Sequence, residues 1–370
     1  MKYTVTCLFG LEGLLGAQID ALGYKRTETI DGRITFEGDA YAAAVCNICL
    51  RYGERLYLNM GEFTADTFDS LFEGTKALPW ESFIGKDDAF PVRGHSVKSR
   101  LFSVPDCQKI IKKAVVNRLL EAHGTKTLLE TGIKYQIDFF ILKDKAALMI
   151  DLSGTPLHKR GYRPQSVEAP LRETLAAALV SLARPRENVV LCDPFCGSGT
   201  IAIEAALMMK NRAPGINRTF AAEEFPAFPK ELWERARKEA REGELETDFR
   251  CRASDISPEC VEIARQSARR AGVEDMIEFS VADALCLETR GERGTVVTNP
   301  PYGERLMKDG VDELYRAMGK EWKKLDRWQI YVLTSHPEFQ RLYGRRADKV
   351  RKLYNGMLPC NYYQYFKNGK

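Results

Sequence analysis

The chain lacks any apolar run long enough to cross a bilayer. Stretches such as residues 146–150 and 189–192 fall far short of the ~18 residues a membrane helix needs. It has few histidines, four in 370 residues, and its ten cysteines are scattered. The C-x-x-x-C-x-x-C spacing of radical iron–sulfur enzymes is absent. The one C-x-x-C pair, Cys46 and Cys49, has no second pair at zinc-finger spacing and lies in an apolar, helix-like run, so two small packed residues on one helix are expected there. No metal site is expected. No internal repeat or low-complexity tract occurs, and charge of either sign is not in excess: 55 basic against 51 acidic residues give +4. Overall charge alone therefore does not identify a nucleic-acid partner. Glycine and glutamate interrupt the opening stretch MKYTVTCLFGLEG early, so no export signal is expected and the thiols are expected to be reduced in a cytoplasmic protein.

What remains is ordinary globular material, 44% hydrophobic and 29% charged, enough for two or three domains. Residues 2–9, 33–36 and 56–62 read as strands, with helices at 11–22 and 41–49 between them, a small α+β module. A second module follows: helices at 67–78 and 105–123, and strands at 89–96, 135–142 and 145–151, the last two joined by a tight Lys143-Asp144 turn. Residues 153–170, rich in glycine and proline, read as a linker. From Leu171 the pattern becomes strand–helix alternation, which predicts a parallel sheet covered on both faces. A long insertion at 211–246, with a charged helix Lys230–Glu242, interrupts it. Residues 341–352 form a second basic stretch, read either as lining the route to the active site or as a solvated loop.

Four successive strand ends carry chemistry. The first reads DPFCGSGT, Asp193 to Thr200, at a strand-to-helix turn where glycines let backbone approach a ligand. No lysine follows as in a phosphate loop, and the dinucleotide pattern G-x-G-x-x-G is not matched. The next two ends carry Asp255, placed to hold ribose hydroxyls, and Asp283, placed to accept from an adenine amine. An aspartate at such a place can equally be a helix cap, but three such ends on one sheet edge fit a nucleoside pocket. The fourth end reads TNPPYG. Its two prolines fix the backbone and remove two donors. The Asn299 amide oxygen and Pro300 carbonyl can then accept from one exocyclic amine, while Tyr302 stacks on its ring.

DPFCGSGT, Asp255, Asp283 and NPPY resemble the class I S-adenosylmethionine-dependent methyltransferases that act on planar amino nitrogens. Nearly the whole chain is similar to the THUMP-domain RNA methyltransferases, and within them to the bacterial ribosomal RNA guanine-N2 enzymes. That resemblance runs from LFGLEG through KRGYR (159–163) and APLRETLAAAL (169–179) to KLYNG and YYQY. It implies a Rossmann-like α/β catalytic domain over 156–370, a ferredoxin-like module over 1–60 and a THUMP domain over 61–155. It also implies cofactor contacts at Asp193, Phe195, Gly197, Gly199, Thr200, Asp255, Ile256, Asp283, Ala284 and Asn299, and a target base held by Asn299, Pro300, Pro301 and Tyr302. The implied activity is methylation of a guanine N2, with 23S ribosomal RNA as the expected substrate and no obligate protein partner. A transfer RNA guanine, an adenine N6 on DNA or RNA, or a protein glutamine are the alternatives that share NPPY. A sulfonium methyl is already activated, so no general base is expected, and His95, His123, His158 and His336 read as surface or packing residues.

Residues 91–118 hold seven basic side chains against Asp106. On the helix there, Lys109, Lys112 and Lys113 share one face, with Ile110, Ala114 and Leu120 expected to turn inward. Together with Lys98 and Arg100 they are the expected RNA contacts, supplying affinity through phosphates.

Overall fold

Short apolar runs separated by glycine and aspartate turns build two seven-stranded sheets. The structure, a computed structural model, describes residues 1–163, 171–302 and 308–366. Two units divide the chain: Met1–Thr6, Gly16–Leu157 and Thr219–Lys238 form the first, and Cys7–Leu15, His158–Arg218 and Glu239–Lys370 the second.

The first unit carries β1 (Lys2–Cys7), α1 (Glu12–Ala21), β2 (Lys25–Ile30), β3 (Arg33–Glu37), α2 (Ala40–Cys49), β4 (Gly53–Thr64), α3 (Phe68–Lys76), β5 (Val92–Val97), α4 (Val104–His123), β6 (Ile137–Leu142) and β7 (Lys145–Asp151). Its strand order is β2-β3-β1-β4-β7-β6-β5, so one continuous sheet serves both front modules, and residue 60 lies within β4. The alternation rule passes over β2 because its side chains are exposed from Lys25 to Thr29, leaving no buried face to set a period of two. Local chemistry sets the helix and turn ends. The Asp39 carboxylate accepts from Ala42 N, Thr67 and Ser70 cap α3 reciprocally, and Lys143 and Asp144 both take the left-handed conformation of a tight hairpin turn.

The division between the units, at Leu157 and His158, falls inside the segment read as a linker, and that segment is packed: Ser153, Leu157, Arg160 and Tyr162 are buried, and Ser153 Oγ accepts from Leu56 N while donating to Asn47 Oδ1. The remainder, 164–170, lies outside the described residues. The 211–246 insertion does not stay with the strands it interrupts. Its middle packs in the first unit, where Phe225 stacks on Tyr135 at 4.1 Å and Arg235 lies 3.8 Å over the Tyr41 ring.

The second unit carries α5 (Glu173–Ala183), β8 (Val190–Asp193), α6 (Thr200–Met209), the end of α7 (Lys230–Glu242), β9 (Cys251–Asp255), α8 (Pro258–Ala271), β10 (Ile277–Val281), β11 (Gly294–Thr298), α9 (Lys308–Trp322), β12 (Trp328–Thr334), α10 (Phe339–Tyr343), β13 (Lys349–Asn355) and β14 (Leu358–Tyr365). The strand order is β10-β9-β8-β11-β12-β14-β13. The first five strands are parallel, and β14 runs antiparallel to both of its neighbours. Counted from β8 this is 3-2-1-4-5-7-6, a doubly wound sheet closed at one edge by a hairpin. α10 and β13 occupy much of the 341–352 stretch, so of its two readings the solvated loop does not hold. β13 buries only Leu353, so it too has no apolar alternation to betray it. An aromatic core of Tyr315, Trp322, Trp328, Phe339, Tyr343, Tyr363 and Tyr365 fixes α9 and α10 against the sheet. Among the described residues no helix is long and apolar enough to cross a membrane, and no cluster of three metal-ligating side chains occurs.

Candidate active site

The parallel register brings the ends of β8, β9, β10 and β11 to one edge. At the first, Asp193 ends β8 and the chain turns through Gly197 (φ +51°) and Gly199 (φ +78°) into α6. Backbone bonds hold the turn: Gly199 N donates to Cys196 O at 2.7 Å, and Cys196 N to Ser254 O at 2.9 Å. The two glycines serve different needs. A Cβ at Gly199 would stand 2.9 Å from Ala264 Cβ, so that glycine lets α6 approach α8. A Cβ at Gly197 would meet nothing within 4 Å, so that glycine borders open space, as a cradle for a ligand would.

Asp255 ties this turn to the second strand. One carboxylate oxygen accepts from Gly197 N at 3.0 Å and the other from Ser257 N at 3.0 Å. Ile256 beside it is an isolated apolar side chain, 75% exposed. Asp283 lies two residues beyond β10, caps a short turn by accepting from Leu285 N at 2.9 Å, and is exposed. Ala284 is buried and its carbonyl accepts from the Trp322 indole.

Asp193 itself is buried. Its Oδ1 accepts from Thr298 Oγ1 at 2.7 Å and from Phe195 N at 3.3 Å, which staples the β8 and β11 ends together. Burial pushes its carboxyl up to about 7; the Thr298 and Phe195 hydrogen bonds oppose that shift and nearby Asp255 adds to it. Phe195 packs against the aromatic core near Trp322.

At the fourth end, the Asn299 Oδ1 is buried and has no hydrogen-bond partner among the described residues. An orphaned acceptor of this kind costs free energy unless a ligand donor satisfies it. Pro300 is buried. The Pro301 carbonyl accepts from Tyr315 OH at 3.0 Å, and Tyr315 also bonds Thr334 Oγ1 at 2.9 Å. Tyr302 OH accepts from Asn355 Nδ2 at 3.1 Å. Residues from α9, β12 and β13 thus brace the double-proline corner. Gly303, the last residue of the motif, lies outside the described residues. His336 packs edge-on against Tyr315, with Nε2 3.2 Å from Asp312 Oδ1, and its Nδ1 accepts from Glu338 N.

Sequence reasoning missed Tyr315, Thr334, Asn355 and Arg163 as supports. Asn355 lies in KLYNG and Arg163 in KRGYR, so both segments were visible, but not what they hold. Arg163 donates to Thr200 Oγ1 at 2.6 Å, beside the glycine turn, and to the Leu171 carbonyl. Arg160 and Tyr162 converge on the fully buried Glu204, at 3.6 Å and 3.0 Å. The Arg160–Glu204 approach and that of Arg163 to Glu173 (3.5 Å) are charge contacts without hydrogen-bond geometry at Nε.

The expected RNA contacts lie in the first unit, and their surroundings differ from the local count. Lys112 pairs with Glu130 at 2.6 Å and lies 3.6 Å over the Phe90 ring, so it is a packing cation rather than a member of an open basic face. Arg100 reaches Asp66, and Lys109 pairs with Asp106. Lys98 and Lys113 make no ion pair among the described residues. The inward face of α4 is Cys107, Ile111, Ala114, Val115 and Leu119; Ile110 and Leu120 are only half-buried, because the helix rotates its stripe one position from the expected one. Phe102, 82% exposed between Arg100 and α4, was passed over, although an aromatic interleaved with basic residues was signal enough.

Comparison with known proteins gives three family matches. Residues 160–364 match the family described as "RMKL-like, methyltransferase domain", residues 2–57 the "RlmL ferredoxin-like domain", and residues 65–151 the THUMP domain. A Bacillus subtilis (strain 168) protein called "Putative RNA methyltransferase YpsC" is 46% identical over 99% of this chain and 96% of its own length. Among solved structures, "SMU.472, a putative methyltransferase complexed with SAH" superposes with TM-score 0.93 at 38% identity, covering 100% of this chain and 98% of that one. A Listeria monocytogenes (str. 4b F2365) protein described as a "predicted N6-adenine-specific DNA methylase" superposes with TM-score 0.92 at 45% identity, covering 99% and 96%.

Proposed function

Because the chain belongs to the RMKL-like methyltransferase family and uses S-adenosylmethionine, we propose that it methylates the exocyclic N2 of a guanine in RNA, with 23S ribosomal RNA as the target. The observation that carries the reading is the buried, unpartnered Asn299 Oδ1 at the same sheet edge as the open glycine turn. The cofactor supplies an activated methyl on sulfur. Gly197, Asp255, Ile256 and Asp283 would hold it, with an open cradle, two acidic strand ends and an exposed apolar contact available.

The chain's own residues then position and polarise. Asn299 Oδ1 and the Pro300 carbonyl accept from the amine, which turns the nitrogen lone pair towards the methyl and favours the ammonium character that develops as the N–C bond forms. Tyr302 stacks on the base with its hydroxyl held by Asn355. The surplus proton leaves to solvent after transfer. Asp193 acts through structure, by stapling two strand ends.

RNA rather than DNA is favoured by the THUMP match at 65–151 and by the name of the B. subtilis relative. Guanine N2 is favoured by the RlmL ferredoxin-like match at 2–57. We assign 1–60 and 61–155 to RNA capture and 156–370 to catalysis in the cytoplasm, with Lys98, Arg100, Lys109 and Lys113, joined by Phe102, as the front-unit contacts. Adenine N6 is the second reading, favoured by the name of the Listeria protein, since the same acceptors serve any planar amine. Methyl transfer from labelled cofactor to unmodified ribosomal RNA, transfer RNA, DNA and protein, followed by nucleoside analysis, decides. The expected product is N2-methylguanosine in ribosomal RNA; label in adenosine, DNA or glutamine overturns the reading.

A further inference from the structure

A cavity of about 840 Å³ opens at the opposite edge of the second sheet, where β8, β11, β12 and β13 begin. Arg184, Arg186, Arg293, Arg327, Lys349 and Arg351 line it, and among the described residues no aspartate or glutamate does. A neighbouring cavity along the same edge differs: there Arg252 pairs with Glu292, and Arg290 with Glu278. The basic cavity therefore concentrates like charge where the adjacent one neutralises it. One cation suffices for the carboxyl end of α5, where Arg184 sits. The other five come from the segments before β8, β11 and β12 and from β13, which supplies both Lys349 and Arg351, and they converge.

Two further atoms point to a ligand. Gln364, 3% exposed, lines the cavity and its Nε2 donor is buried without a partner among the described residues. Arg351 Nε is likewise buried and unpartnered. Orphaned donors beside several uncompensated guanidiniums match phosphate oxygens, which accept several hydrogen bonds and carry the opposite charge.

We propose that this cavity is a phosphate-binding site for the RNA backbone, separate from the methyl-transfer corner. β12 alone separates the two edges by about 20 Å at ~3.3 Å per residue over its seven residues. A span of that length fits several consecutive nucleotides of one strand, and six cations exceed what a single phosphate requires. The site anchors the substrate without reading its bases. The assignment of RNA as ligand rests on the proposed function.

The test uses the full chain with Arg186→Ala, Arg293→Ala and Arg327→Ala combined, all exposed side chains whose loss leaves the core intact. Affinity for unmodified ribosomal RNA is measured against salt, SAH affinity by calorimetry, and inorganic pyrophosphate binding in parallel. The expected result is a fall of roughly two to three in the log–log salt slope and a loss of RNA affinity on the order of 100-fold at 0.1 M salt, with SAH affinity unchanged. Unchanged RNA affinity and slope overturn the proposal. If, in addition, pyrophosphate binds the wild type and not the variant, the cavity takes a small phosphorylated ligand instead. RNA binding is read without catalysis, so a wrong methylation target would leave this result standing.

Discussion

The two glycines of the DPFCGSGT turn should fail in different ways when each is replaced by alanine. Both adopt left-handed backbone, φ +51° at Gly197 and +78° at Gly199, so each substitution costs about 1–2 kcal/mol of backbone strain. At Gly197 nothing is added to that, because the new methyl meets no atom within 4 Å. At Gly199 the methyl falls 2.9 Å from Ala264 Cβ and 3.5 Å from Ile203 Cδ1, and the helices it separates are anchored in the sheet. Overpacking of that kind adds about 1–3 kcal/mol. Gly199→Ala is therefore expected to lose roughly 2–5 kcal/mol in urea denaturation, and Gly197→Ala only about 1–2. Ligand binding should show the reverse. The open space at Gly197 is where the cofactor is proposed to lie, so Gly197→Ala should weaken SAH at least tenfold, about 1.4 kcal/mol, by calorimetry. If Gly197→Ala binds SAH as the wild type does, the cradle is elsewhere. If Gly199→Ala is no less stable than Gly197→Ala, the packing argument is wrong.

Other expectations test the remaining corners. Asn299→Ala should lower kcat by about 10²–10³-fold, yet leave stability equal or higher, since a buried orphan acceptor costs about 1–3 kcal/mol; a variant that turns over normally removes Asn299 from the chemistry. The Asp193 carboxyl, at about 7, binds its proton more tightly in the folded chain than an ordinary aspartate at ~3.9 in the unfolded one. Its contribution to stability is thus fullest below pH ~4 and is lost as the pH rises through 7, by on the order of 4 kcal/mol. Asp193→Asn removes that dependence, so the difference in unfolding free energy between wild type and variant should shift steadily towards the variant between pH 4 and 8; a flat difference would contradict the shift. Tyr315→Phe deletes the bonds to the Pro301 carbonyl and Thr334 and should cost about 1–2 kcal/mol of stability, with kcat falling more than KM rises. A change confined to stability would leave Tyr315 a core residue alone.

Elements with a buried face were legible in the sequence. β8 and β11 announce themselves as apolar runs, and the four chemistry-bearing strand ends lie on one edge because parallel strands linked by helices must begin and end together. β2 and β13 were not legible, since each is an edge strand with almost no buried side chain to set an alternation. Nor was the destination of residues 219–238. They interrupt one pattern in the chain and complete the packing of another unit, and nothing in a local window records the stacking partner Tyr135. The site's residue types were readable, but the state of Asp193 was not: the DPF turn looks open in sequence, while Thr298, 105 positions later, closes over its carboxylate.

Charge shows most clearly why local counting fails. Of the seven basic residues between 91 and 118, Arg93 meets Asp138 and Asp151, Arg100 meets Asp66, Lys112 meets Glu130 and Arg118 meets Glu81, while Lys109 meets the one acid inside the window, Asp106. Strand and helix neighbours supply these acids from distant parts of the sequence, so a run that reads as strongly basic is largely neutralised once folded. The six cations of the second unit follow the opposite course. They are dispersed between Arg184 and Arg351, no window of the sequence gathers them, and the sheet's starting edge brings them together with no acid among the described residues lining the cavity. A polyanion responds to the folded field over about one Debye length, ~8–10 Å, rather than to residue spacing along the chain. Neutralising the α4 lysines should therefore lower RNA affinity less than neutralising the same number of cavity arginines, and a salt titration of the two variants side by side ranks them directly.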